Sequence, residues 1–133
     1  MPQSMFATLP VIAILLFIAA SLALLLRQDK SRTGRWLVPA GLAVLFLGWS
    51  LYTMSVEGPF GFWPNHTRDA WGNQIWFDLL LAIGTAWALL LPRTSAAGMR
   101  PGPWLVLILC SGSIGLLAML ARCLYLEHHK SPA

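Results

Sequence analysis

Four apolar stretches alternate with short polar segments along this chain, at residues 5–26, 36–56, 74–91 and 104–124. Each is about as long as a helix rising 1.5 Å per residue must be to cross a hydrocarbon core of roughly 30 Å. The pattern predicts an all-α fold, a four-helix transmembrane bundle forming a single domain over residues 1–133. The first stretch lacks the basic leader and small-residue cleavage site of a signal peptide, so it is expected to be a retained helix. Pro10 lies in its first turns, where a missing backbone donor costs little.

The connections differ in character. Residues 27–35 carry Arg27, Lys30, Arg32 and Arg35 against Asp29, with Ser31 and Gly34 as breakers. Residues 57–73, EGPFGFWPNHTRDAWGN, hold two prolines, three glycines and four aromatic residues, a composition that disfavours a helix through them. Asn73 is well placed to cap the third span and Pro92 to end it. Residues 93–103 form a basic, Gly/Pro-rich turn, and the tail YLEHHKSPA is expected to fray.

Composition agrees with the pattern. With 57% apolar and 11% charged residues and a mean hydropathy of +0.66, the chain lies outside the range of soluble domains, which carry about 25% charged residues. The nine Lys and Arg outnumber the five Asp and Glu, but they cluster between spans. No basic helix face interleaved with aromatics is present, which argues against nucleic-acid binding. Segments 27–35 and 93–103 hold six basic residues, against Arg68, Arg122 and Lys130 on the other side. The positive-inside rule then puts both termini and the 57–73 loop on the outer, periplasmic side of a bacterial inner membrane. Trp36 and Trp104 would mark the inner interface, with Trp63, Trp71 and Trp76 at the outer one. Cys110 and Cys123, both in the fourth stretch, would sit roughly 20 Å apart along one helix. They cannot bridge, which removes thiol-oxidoreductase readings and leaves them a packing role.

Asp78 is the only carboxylate inside any of the four stretches, and an ionisable group within a span is the default place to look for function. With the third span running inward and the fourth outward, Arg122 would lie at the same level, so the two are expected to be able to pair. Each also complements its own helix dipole, and Arg122 can snorkel to the surface without a partner. Above them the loop contributes Glu57, His66, Asp69 and Asn73, and the tail Glu127, His128 and His129. Asp78, Arg122, His66, Asp69, Asn73 and Glu57 are therefore the candidate ligand-binding residues of a small pocket open to the outer side. No metal site is expected, since His66 and Asp69 are loosely spaced and no Cys joins them. All three histidines lie outside the spans, which argues against a haem held between the helices. The first two spans lack acidic residues, unlike small multidrug-resistance transporters with their essential glutamate in the first helix. Ser111 with Gly115, Ala82 with Ala86, and Gly41 with Gly48 offer small-residue stripes for close helix packing.

Residues 71–127 carry an aspartate opening one span (IWFDLLLAIG), a basic Gly-containing turn (PRTSAAGMRPGPW) and a Gly- and Leu-rich segment ending in arginine (GSIGLLAMLARCLY). In this they resemble a group of uncharacterised small four-helix bacterial inner-membrane proteins, and the resemblance implies a membrane bundle without a known activity. GSIGLL is also similar to the end of plant and cyanobacterial membrane proteins associated with neoxanthin formation, although Ser113 stands where that pattern has proline.

No catalytic constellation and no cofactor requirement emerge. The expected role is a non-catalytic accessory or assembly subunit, embedded in the lipid bilayer and packing against a membrane protein partner or further copies of itself. The alternatives are a membrane enzyme or binding protein for a lipid or isoprenoid, with its pocket under the 57–73 loop, and a small oligomeric channel or transporter. The channel needs a polar stripe, for which Thr85 and Ser111 are too sparse.

Overall fold

A computed structural model describes residues 3–26 and 34–130, and among these every regular element is a helix. The chain divides into two compact units, Met1–Ser31 and Arg32–Ala133. The first contains α1 (Gln3–Leu26), apolar on all sides. Pro10 falls about two turns into this helix, so the carbonyl of residue 6 lacks its usual backbone donor. The basic residues Arg27, Lys30 and Arg32 lie outside the described residues.

The second unit contains α2 (Leu37–Glu57), α3 (Phe62–Thr67), α4 (Ala70–Ala96), α5 (Pro101–Ser111) and α6 (Ser113–Lys130). Three helices, α1, α2 and α4, are long and apolar enough to cross a membrane, while α5 is a shorter apolar helix. Both α1 and α2 match the expected spans to within two residues. Gly58, at φ 82°, closes α2 with its N–H on the Met54 carbonyl, and the Gly/Pro-rich stretch beyond it nonetheless builds the six-residue α3.

The third span is longer than expected at both ends. It begins at Ala70 because Asp69, in extended conformation, accepts a hydrogen bond from the Gly72 N–H; Asn73 is already inside the helix. It also runs through Pro92 to Ala96. Contacts just beyond Pro92 outweigh its missing donor. Thr94 is fully buried with its hydroxyl on the Leu91 carbonyl, Ala97 is buried, and Arg93 is tied to α6.

The fourth stretch is not one helix. Gly112 adopts φ 58° and ψ −125°, a conformation that only glycine visits freely, and separates α5 from α6. A straight helix from residue 104 would carry residue 127 about 34 Å away. Glu127 instead lies 2.8 Å from Arg93, at the end of α4, next to where α5 begins. The chain therefore reverses at Gly112 and α6 runs back along α5. The approach is backbone to backbone, since a Cβ on Gly115 would lie 2.9 Å from the Leu107 carbonyl oxygen and the Ile108 nitrogen. The reversal point reaches the level of Ile83, whose Cδ1 lies 3.7 Å from where a Gly112 Cβ would be. The tail expected to fray is helical through Lys130, with Tyr125 edge-on to Trp36 at the start of α2.

Through this reversal α6 becomes the packing centre of the unit, in contact with α2, α4 and α5. Its Gly115, Met119 and Cys123, spaced by four, form one buried stripe, with Met119 and Cys123 fully enclosed. The opposing face of α4 presents Ile83, Leu90 and Thr94, all half-buried or buried.

Gly115→Ala should lower the thermal unfolding midpoint in detergent, because the added methyl meets backbone that cannot move away. Gly84→Ala, where a Cβ meets nothing within 4 Å, should be neutral or stabilising by about 0.5–1 kcal/mol. Equal responses of the two variants would contradict the close α5–α6 approach.

Candidate functional site

The polar residues gather at two ends of the second unit. At one end α3 lies across the first turn of α4. A Cβ on Gly72 would come within 2.5 Å of the Asn65 carbonyl oxygen, so the crossing requires glycine. Asp69 Oδ1 accepts from the Gly72 N–H at 2.8 Å, while Oδ2 accepts from Arg68 Nε at 3.2 Å. The Gly72 N–H, and after it Arg68, hold the Asp69 carboxyl below the usual carboxylate range. Asn73 Nδ2 donates to the carbonyls of both His66 and Asp69, at 3.2 Å each, and so fastens the end of α3 to the start of α4.

His66 is held between backbone and aromatic rings. Its Nδ1 lies 2.6 Å from the Phe62 carbonyl, which can only accept, so Nδ1 carries the proton and in the neutral ring Nε2 is left as the acceptor. The imidazole packs edge-on to Trp76 with centroids 4.9 Å apart, and Phe62 stacks on the same indole at 5.9 Å. Trp63 and Trp71 are exposed beside this group, as amphipathic rings at a membrane–water interface would be.

The six candidate residues do not converge. His66, Asp69 and Asn73 share this end, and Glu57 is the last residue of α2, with its carbonyl oxygen 2.9 Å from where a Gly61 Cβ would lie. Asp78 is exposed, two turns further along α4. Arg122 is carried by the reversed α6 and places its guanidinium 5.5 Å from the centre of the Tyr125 ring. Among the described residues the ion pairs are Arg68–Asp69 and Arg93–Glu127, so Asp78 and Arg122 do not pair. The reason is topological: their expected common level depended on a continuous fourth span.

The other end holds a cluster that the sequence pattern did not suggest. Arg93 donates from Nε to Glu127 Oε1 at 3.1 Å and from Nη2 to Oε2 at 2.8 Å, a two-pronged contact between the ends of α4 and α6. The Cys123 thiol donates to the same Oε1 at 3.6 Å. Tyr125 packs on Trp36, and His129 closes over Tyr125 with centroids 4.0 Å apart. The one local signal was Ser111-Gly112-Ser113 in the middle of an apolar run, a turn signature that lets the tail meet residue 93.

Chemically, both clusters are occupied with holding helices. Asp69 is engaged as a cap, Asn73 as a clamp, and Glu127 by Arg93 and Cys123. No three His, Cys, Asp or Glu side chains are grouped as metal ligands among the described residues. No family model, curated protein or solved structure matches the chain.

Arg93→Glu should destabilise the protein and Arg93→Glu with Glu127→Arg should recover part of the loss. For a pair this exposed the coupling measured by a double-mutant cycle should be on the order of 0.2–1 kcal/mol. Strict additivity would mean that the contact contributes nothing to the α4–α6 closure.

Proposed function

We propose that this chain is a non-catalytic accessory or assembly subunit of a membrane complex, in a bacterial inner membrane as the resemblance of residues 71–127 implies. The observation that carries this reading is the use of its polar side chains. Asp69, Asn73, His66, Arg93 and Glu127 are engaged at helix ends, whereas the apolar faces of α2, α4 and α5 remain outward. A protein built to present shaped apolar helices to lipid and to other helices fits this distribution. An enzyme would need polar groups left available to a substrate.

In the proposed membrane arrangement α1, α2 and α4 cross, and α5 with α6 enters and returns as a helical hairpin. This replaces the four complete spans of the expected bundle. Non-helical backbone at membrane depth is tolerated where protein buries it, and Gly112 packs beside Ile83. The C-terminus then belongs with the end of α4 and not across the bilayer from it. Seven basic residues outside the helices' apolar middles, Arg27, Lys30, Arg32, Arg35, Arg93, Arg100 and Lys130, fall on that side, with Arg68 on the other. This is a steeper positive-inside bias than six against three, and it favours an inner C-terminus, an outer 57–73 segment and an outer N-terminus.

A C-terminal green fluorescent protein fusion should fluoresce in bacterial cells and a C-terminal alkaline phosphatase fusion should be inactive. The opposite pair of results would restore four complete spans.

Purification in mild detergent and mass spectrometry of the product should yield a membrane protein in fixed stoichiometry with this chain. A lipid or isoprenoid retained in fixed stoichiometry with no protein partner would overturn the accessory reading in favour of a ligand-binding protein.

A further inference from the structure

Asp78 lies eight residues beyond Ala70, the first residue of α4, or about 12 Å along the helix. There it stands within the apolar run of α4 that is able to cross a membrane, where a carboxylate is costly unless it is matched. It belongs to a face of α4 formed with Trp71, Gln74, Ala82, Thr85 and Leu89, all of them exposed. At about 100° per residue this face is turned away from Ile83, Leu90 and Thr94, which are partly or fully buried. Asp78 is thus turned away from the packed side of α4, in a stripe where Gln74 and Thr85 are also polar. Lipid alone is a poor neighbour for three polar side chains on one helix face.

No described residue supplies the matching cation. Arg68 pairs with Asp69 and Arg93 with Glu127, Arg35 and Arg100 form no ion pair, Arg122 lies against Tyr125, and Gln3–Leu26 contains no Lys or Arg. A second copy inserted in the same orientation and packed through the same face would bring Asp78 against Asp78, carboxylate to carboxylate. We infer that this face of α4 docks a transmembrane helix of a different protein that carries a Lys or Arg about 12 Å from its outer end. The cation meets Asp78, Gln74 and Thr85 offer flanking hydrogen bonds, and Ala82, one turn away, lets the helices approach closely. The inference rests on the accessory-subunit reading and specifies the chemistry of the partner.

The test uses the full chain, fluorescently labelled and reconstituted in phosphatidylcholine vesicles. The added ligand is a synthetic Leu/Ala transmembrane helix bearing one Lys at that depth, and a second helix with Leu in its place serves as control. Energy transfer should report association with the Lys helix on the order of tenfold tighter than with the control. Asp78→Asn should abolish the preference, and Ala82→Leu, which keeps the carboxylate but obstructs approach, should weaken it. Both variants alter an exposed face, so an unchanged unfolding midpoint serves as the folding control. Equal association of the two helices overturns the proposal. So does self-association of labelled copies that Asp78→Asn removes, which would make the occupant a second copy. If a protein partner co-purifies equally with the native chain and with Asp78→Asn, docking through Asp78 fails while the accessory reading stands.

Discussion

At Gly112 the backbone turns through a conformation closed to residues with a Cβ, and the arrangement of the second unit depends on that turn. Once the chain reverses there, α6 is delivered between α2 and α4, Gly115 lies against the backbone of α5, and Glu127 arrives beside Arg93. Within a bilayer, apolar burial gives little net drive for helices to associate, because lipid tails are as apolar as leucine. Close packing at small residues and a few polar contacts must do it. The packing of α6 uses both devices, a glycine at its closest approach to α5 and a two-pronged ion pair to the end of α4.

The opposite end is organised by the same physics with different residues. Gly72 lets α3 cross α4 at backbone distance, Asp69 satisfies an orphan N–H of the α4 first turn, and Asn73 ties two carbonyls from neighbouring elements. The aromatic group of Phe62, His66 and Trp76 then fills the angle between the helices. Both ends are thereby clamped by polar contacts while the middle of each long helix stays apolar and outward. A chain of this size that commits its hydrogen-bonding groups to its own closure is suited to present helix surfaces. Asp78 stands apart from the clamped ends: it sits on the outward face of α4, without an ion-pair partner among the described residues, in a part of the helix that no other helix of its unit covers.

The helical class and the bounds of α1 and α2 were legible in the sequence, because length and unbroken apolarity are local properties that add up within one segment. The grouping of His66, Asp69 and Asn73 at one end of the third span was legible for the same reason. Local rules were weaker wherever two of them competed. Asp69 won the cap from Asn73 because its extended backbone and short carboxylate met the Gly72 N–H. Pro92 failed to end α4 because Thr94, Ala97 and Arg93 beyond it are held by tertiary contacts. Phe62–Thr67 became helical despite its Gly/Pro-rich setting because the segment packs on α4.

What the sequence determined by itself was the material of the protein: an all-α chain with apolar helices, a concentration of basic residues in its short connections and a lone carboxylate within an apolar stretch. Only the tertiary structure decided the path of the chain from Gly112 to Lys130, and with it which end of the unit receives Arg122 and Glu127. Hydropathy cannot distinguish an apolar helix that continues from one that doubles back, since both bury or expose the same residues to the same solvent. The choice is made by contacts between residues far apart in sequence, Arg93 with Glu127 and Trp36 with Tyr125, which exist only after Gly112 has turned.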